Sequence, residues 1–451
     1  MNSTRVSSRL CGGETALQQA ALCAYSDGLY TGIQFYWISN RLGAFDVATA
    51  DHYTIISADT HAGGSHAQYR EYLDPAFRDE FDAWRGKYKN PYKDLKDTDL
   101  RVRNWDSDRR WSEEERDGVV AEVIFPNTIP PFFPSFVLHA QPPSDEDYPR
   151  RLAGIRAHNR WMADFVAEHP DRRAGIGQIF LNNIDDALED VRWIKEHNLR
   201  GGVLLPNIPP DVKWIKPVHH PDYDPLWALC QELDVPVTIH AGPGAPEYAQ
   251  TATSPLLMLV ENPFYSQRPF TQLMVGGVFE RFPGLKFVMT EMGCAWIPPQ
   301  LEWLDHVFAT VRARGGYGEL RFKPEVILPK SATEYFRQSC WVGVSQPTPE
   351  DVAAKDIIGV DRFMWGSDYP HEEGTYPFTR EHLRQVFADA PEDELRQMLG
   401  GNAARLYGFD LAKLAPVAEQ FGPTVDELRV PLLELPDGAN QVLVRGAAEL
   451  N

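Results

Sequence analysis

Five side chains able to hold a cation or move a proton stand at one kind of place, the end of a short apolar run. Asp59 and His61 lie in ISADTH, His240 closes VPVTIHAG, Glu291 stands in KFVMTEMG and Asp368 in FMWGSDYPH. The i, i+2 spacing of Asp59 and His61 aims both to the same side of an extended chain. Carboxylate and imidazole ligands without thiolate suit Zn²⁺, Mn²⁺ or Fe²⁺, and zinc is the ion expected here. A protein shell that leaves one position to water makes that water far more acidic. Taken singly, each residue has a plainer reading. A lone histidine is more often a surface or core residue than a ligand. Asp59 would cap a turn, Asp368 would form an Asx turn ahead of Tyr369-Pro370, and Glu291 would serve a buried ion pair.

The elements that must position these residues alternate along the chain from residue 51 onward. Short, often β-branched apolar runs predict strands at 54–57, 119–125, 174–180, 201–205, 235–240, 286–290, 340–344 and 362–365. Helices are predicted between them at 148–169, 184–197, 225–233, 270–282, 298–314, 348–356 and 379–388. Entry signals support several, such as Asp222 and Asp224 before Pro225, and TPEDV from Thr348. Strands alternating with helices predict a parallel sheet buried on both faces. Eight of them point to an α/β fold of the (β/α)8 TIM-barrel kind. An open doubly wound sheet is the alternative, but no GxGxxG or Walker motif supports it. In a barrel, the ends of strands one, five, six and eight meet around one axis, which sets these five residues apart from a chance scatter.

Long inserted loops are expected after strands 1, 2 and 5. Residues 62–118 are strongly charged and carry Trp84, Trp105 and Trp111; 126–147 are rich in proline and phenylalanine; a third stretch runs from 241 to 270. Each follows a strand and so belongs at the face where barrel active sites lie, as pocket wall or as inert surface. Residues 1–50 contain no lysine and no sustained period, and are expected to form an extension outside the fold. The barrel is expected over 51–409, and the tail 410–451 carries no chemistry we can read.

The sequence resembles the amidohydrolase superfamily, in the amidohydrolase-related branch that contains aminocarboxymuconate-semialdehyde decarboxylase and the γ-resorcylate-type decarboxylases. The resemblance runs from about Tyr53 to Phe409 and rests on SADTH, HHPDYDPLWALCQELDVPVTIHAG, LKFVMTEMGCAWIPPQLEWLD, DRFMWGSDYPH and GNAARLYGF. It implies that Asp59 and His61 are the first-strand metal ligands, His240 the fifth-strand ligand, and Asp368 the eighth-strand carboxylate that binds metal and handles protons. The sequence departs from the branch at Glu291, where its decarboxylases usually carry a histidine. A glutamate can also move protons, particularly where an apolar pocket raises its pKa. The candidate catalytic residues are therefore Asp368, Glu291 and His240. His371, Arg268 and His220 are candidates for substrate binding, with Arg200 and His219 ranked below them; Cys294 reads as packing.

Composition bounds the rest. Lys and Arg number 44 against 64 Asp and Glu, a net charge of −20, which argues against nucleic acid or an anionic membrane as partner. The five cysteines form no CxxC pair, no apolar run reaches the length of a membrane helix, and residues 1–50 lack a signal-peptide pattern. The expectation is a cytoplasmic homodimer acting on a small organic acid. Three functions compete: non-oxidative decarboxylation of an aromatic or unsaturated acid, which leads; hydrolysis of an amide, ester or lactone by a metal-activated water; and a barrel without catalysis that serves binding.

Overall fold

The computed structural model describes residues 51–89, 101–135, 140–249 and 251–439. The predicted extension 1–50 and the last residues of the tail, 440–451, lie outside the described residues.

Eight parallel strands form one sheet in sequence order: β1 Ile55–Ala62, β2 Val119–Pro126, β3 Arg173–Gln178, β4 Gly202–Leu204, β5 Val237–His240, β6 Phe287–Thr290, β7 Cys340–Ser345 and β8 Phe363–Gly366. The ring closes between β1 and the chain just past β8. There Thr60 bridges Tyr369, the His61 amide donates to the Tyr369 carbonyl at 2.7 Å and the Asp368 amide to the Asp59 carbonyl at 2.9 Å. Every residue of β1 to β6 is buried, as expected for strands covered on both faces.

The expected entry signals are met in part: before Pro225, Asp224 is already the first residue of the helix Asp224–Glu232, and Tyr223 ahead of it makes no side-chain cap bond. Asn183 accepts from the Asp185 amide at the start of Ile184–Glu196. Thr348 and Asp351 form a capping box at Pro349–Ile358, with proline in the first turn. One helix differs from its prediction. The expected 270–282 is a long helix Ser254–Val275 followed by a short turn Val278–Arg281. Pro263 and Pro269 obscured it, yet both lie inside it. It ends at the Gly276-Gly277 pair, where Gly277 adopts φ 69°. A helix at Ala332–Ser339 had no prediction. The segment after β1 also contains helices, at His66–Tyr72, Arg78–Lys87 and Ser107–Arg116.

The core has two layers. The larger packs strand side chains such as Val203, Val237 and Phe287 against the helices. The smaller fills the barrel: Ile56, Val123, Ile176, Val288 and Met364 cluster with Tyr407, Leu414 and Ala418 from the helices Asn402–Tyr407 and Leu411–Phe421. Beyond Phe421, the Pro423 carbonyl accepts from the Tyr53 amide at 2.9 Å. The described part of the tail thus closes the barrel at the amino-terminal end of β1, leaving the opposite end for chemistry. No described helix is long and apolar enough to cross a membrane.

Candidate metal centre

β1 runs five residues past its predicted end at Ser57, so Asp59 and His61 lie inside the strand rather than after it. The polar run SADTH masked this, because ligand-bearing strand ends break the apolar pattern. Both side chains are fully buried and point to the barrel axis. His240 is the last residue of β5, Glu291 follows β6 directly, and Asp368 lies two residues past β8. Glu291 and Asp368 both adopt the left-handed conformation, each with φ 59°. Such backbone strain in non-glycine residues clusters at functional sites.

These ends converge. His61 Nε2 lies 3.3 Å from Asp59 Oδ1 and 3.2 Å from Asp368 Oδ1, and His240 Nε2 lies 3.4 Å from the same Asp59 oxygen. His240 Nδ1 faces the Ala241 carbonyl at 2.8 Å, which turns the lone pair of Nε2 toward the cluster. Both ring nitrogens of His61 are buried and, among the described residues, neither makes a hydrogen bond, although two carboxylates stand beside Nε2. A cation between these atoms satisfies them, and two imidazoles with two carboxylates form a donor set for a divalent transition ion.

The electrostatics agree. Burial raises the Asp59 carboxyl, but His240 and His61 outweigh it and hold it well below the ordinary carboxylate range. Burial lowers His61, yet Asp368 and Asp59 lift it to about 10, so a metal must displace a proton to bind there. Glu291 goes the other way: desolvation, then the charges of Asp368, Asp59 and Glu373, push it well above its usual value. Asp368, beside Glu291, is lowered: its own burial is overcome by His371 and His61. Two neighbouring carboxyls pushed apart in this way divide into a proton holder and an ionised partner.

Sequence reading missed several members of the site. Ser345, the last residue of β7, donates its hydroxyl to Asp59 Oδ2. Gln346 Nε2 approaches Asp368 Oδ2 at 3.5 Å. Asn127, one residue past β2, meets His371 Nε2 at 3.0 Å, while His371 Nδ1 lies 2.7 Å from Asp368 Oδ1. Gly366 makes the crowding possible, since a Cβ there would stand 2.7 Å from that of Asp59 and 2.8 Å from Ser345 Oγ. The signal for all of these was position alone, at the carboxyl ends of strands two and seven.

Other candidates fall elsewhere. His220 caps the short helix Pro221–Tyr223, its Nδ1 accepting from the Asp222 amide at 3.2 Å, and does not join the gathered ligands. Arg200 directs its guanidinium at the Gly408, Pro170 and Arg173 carbonyls, which gives it a backbone-bracing role. Cys294 is buried, with its thiol on the Asp351 carbonyl. Arg268 keeps a buried Nη1 without a partner among the described residues.

A family model described as Amidohydrolase matches residues 97–409. The γ-resorcylate decarboxylase of a Polaromonas species is 24% identical over 271 residues, covering 58% of this chain and 78% of its own. That of Rhodococcus jostii is 26% identical over 293 residues, covering 61% of this chain and 84% of its own. Among solved structures, a dihydroxybenzoic acid decarboxylase from Polaromonas with bound manganese and the inhibitor 2-nitroresorcinol superposes with a TM-score of 0.57 at 18% identity, over 80% of this chain and 99% of that one. The 5-carboxyvanillate decarboxylase of Sphingomonas paucimobilis gives 0.56 at 20% identity, over 79% and 100%. At these identities the structural likeness speaks to the fold.

Proposed function

Because this chain belongs to the amidohydrolase family, we propose that it is a metal-dependent carboxy-lyase that removes the carboxyl group of an aromatic acid without oxidation. The observation that carries this reading is the pair at the ends of β6 and β8: Glu291 and Asp368 meet at the edge of the converged ligands, where Glu291 is pushed well above the ordinary carboxylate range and Asp368 below it. The relatives named above are decarboxylases of aromatic acids, which supports the same reaction class. Asp59, His61, His240 and Asp368 would hold the ion. When bound, the ion would supply positive charge that stabilises the anionic substrate.

The remaining chemistry belongs to the protein. Asp368 takes up a proton from Glu291 and delivers it to the ring carbon as the carbon–carbon bond to the carboxyl group breaks. The bonding pair stays on the ring carbon and takes that proton, and carbon dioxide leaves. Water then reprotonates Glu291, whose side chain is partly exposed. His371 orients Asp368, and Arg268, whose buried Nη1 has no hydrogen-bond partner among the described residues, is the candidate for an acidic group of the substrate. The expected zinc has a rival in manganese, the ion bound in the Polaromonas and Novosphingobium decarboxylase structures.

The test is incubation of manganese-loaded and zinc-loaded protein with 2,6-dihydroxybenzoate, 5-carboxyvanillate and related acids. Metal-dependent release of carbon dioxide is expected. Release of acid from lactones or esters, with no carbon dioxide from any carboxylate, would overturn the reading.

A further inference from the structure

We infer that Asn104 and Asn127 are positioning residues that fix the orientation and tautomer of His371. They form a chain of hydrogen bonds whose direction is set at its outer end. Asn104 Nδ2 donates to the Arg101 carbonyl at 3.1 Å. A backbone carbonyl can only accept, so this contact settles which way the Asn104 amide faces and leaves its Oδ1 as the acceptor for Asn127 Nδ2, at 2.7 Å. Asn127 then presents Oδ1, also an acceptor, to His371 Nε2 at 3.0 Å. Nε2 must therefore carry a hydrogen. The other ring nitrogen, Nδ1, faces Asp368 Oδ1 at 2.7 Å, and the hydrogen between them sits on the ring when Asp368 is ionised and on Asp368 when it is the acid.

Both asparagines are also tied to the strand that carries His61. The Asn104 carbonyl accepts from the Gly63 amide at 3.1 Å, and the Asn127 amide donates to the Ala62 carbonyl at 3.0 Å. Asn104 is buried and sits at the end of a short helical turn, Val102–Asn104, within the long segment that follows β1. That segment thus reaches the carboxylate after β8 through two amides and one ring. Without the Asn127 acceptor, the imidazole is free to turn or to place its hydrogen on Nδ1, and its contact with Asp368 loses a defined geometry. The catalytic consequence rests on the proposed role of Asp368; the tautomer itself does not.

Ring-nitrogen NMR of the zinc-loaded protein, labelled with ¹⁵N at histidine, reads the tautomer directly, with His371→Asn assigning the signals. His371 of the wild type is expected to be protonated at Nε2. Asn127→Ala should shift the populations toward Nδ1–H at unchanged zinc content. In turnover, Asn127→Ala should lower kcat by about 10–100-fold, the usual effect of removing an orienting partner. In a His371→Phe background the same substitution should cost nothing further. If Asn127→Ala does not fold, Asn104→Ala, one link farther out, makes the same test. Unchanged ring-nitrogen spectra, or losses that simply multiply in the double variant, would overturn the inference. Spectra that move as expected in a protein that decarboxylates no acid would sustain it and reject the proposed reaction instead.

Discussion

His240 directs one ring nitrogen at Asp59 and the other at the Ala241 carbonyl and Glu291, so it serves the ligand cluster and its proton holder together. His240→Ala is expected to lower bound metal and abolish turnover, and Asp368→Asn to abolish turnover; elemental analysis beside a carbon dioxide assay checks both. Wild-type metal content and activity in His240→Ala would remove it from the site. Glu291→Gln should leave fold and metal intact while kcat falls by roughly 10²–10⁴-fold, the range for a lost acid–base group. Protein that becomes insoluble yet keeps normal specific activity would instead make Glu291 a structural ion-pair partner. Residue type and strand-end position were enough to nominate these groups. Ser345, Gln346 and Asn127 escaped because a neutral side chain carries no chemical label until a neighbour gives it one.

Among the elements, the helix Ser107–Arg116 does more than cover the barrel. Arg110 is fully buried, donates to the His61 carbonyl at 2.8 Å and pairs with Glu122 of β2, while the Tyr369 hydroxyl donates to Glu113 at 2.7 Å. One helix therefore grips the chain on both sides of the barrel closure. At its end, Asp117 accepts from the Thr379 amide at 3.2 and 3.3 Å, and burial pushes its carboxyl up to about 7. The unfolded chain ionises this aspartate first, near its ordinary value of 3.8. Folding stability must then fall as pH rises from about 4 toward 7 and level off above. Asp117→Asn should remove that part of the slope, so its Tm relative to wild type should be higher at about pH 8 than at about pH 4.5. A difference independent of pH would show that Asp117 is already ionised in the fold.

For the whole molecule, a net charge of −20 sits beside an apolar surface on Ser254–Val275. Leu256, Leu259, Val260 and Phe264 are 63%, 67%, 69% and 64% exposed. Contiguous exposed apolar surface of this kind marks interaction sites. The homodimer expected from the sequence would bury it against a second copy. Leu259→Glu with Phe264→Glu is expected to convert a dimer to a monomer in light scattering, with little change in Tm measured on the separated species. A wild-type protein that is monomeric at high concentration would reject this interface.

The eight strands and the ligand types were legible in the sequence because both depend on short-range pattern: a buried parallel strand must be apolar, and its catalytic end must break that rule. Asp59, His61, His240, Glu291 and Asp368 announced themselves in this way. Tertiary structure alone decided three things. It joined β1 to the chain after β8, which brought residues more than 300 positions apart within 3.2 Å. It set Asp368 against Glu291 so that their affinities for protons diverge, an effect of mutual distance and burial that no spacing encodes. It left His220 as a helix cap, since the direction of a loop side chain depends on whichever neighbour satisfies it.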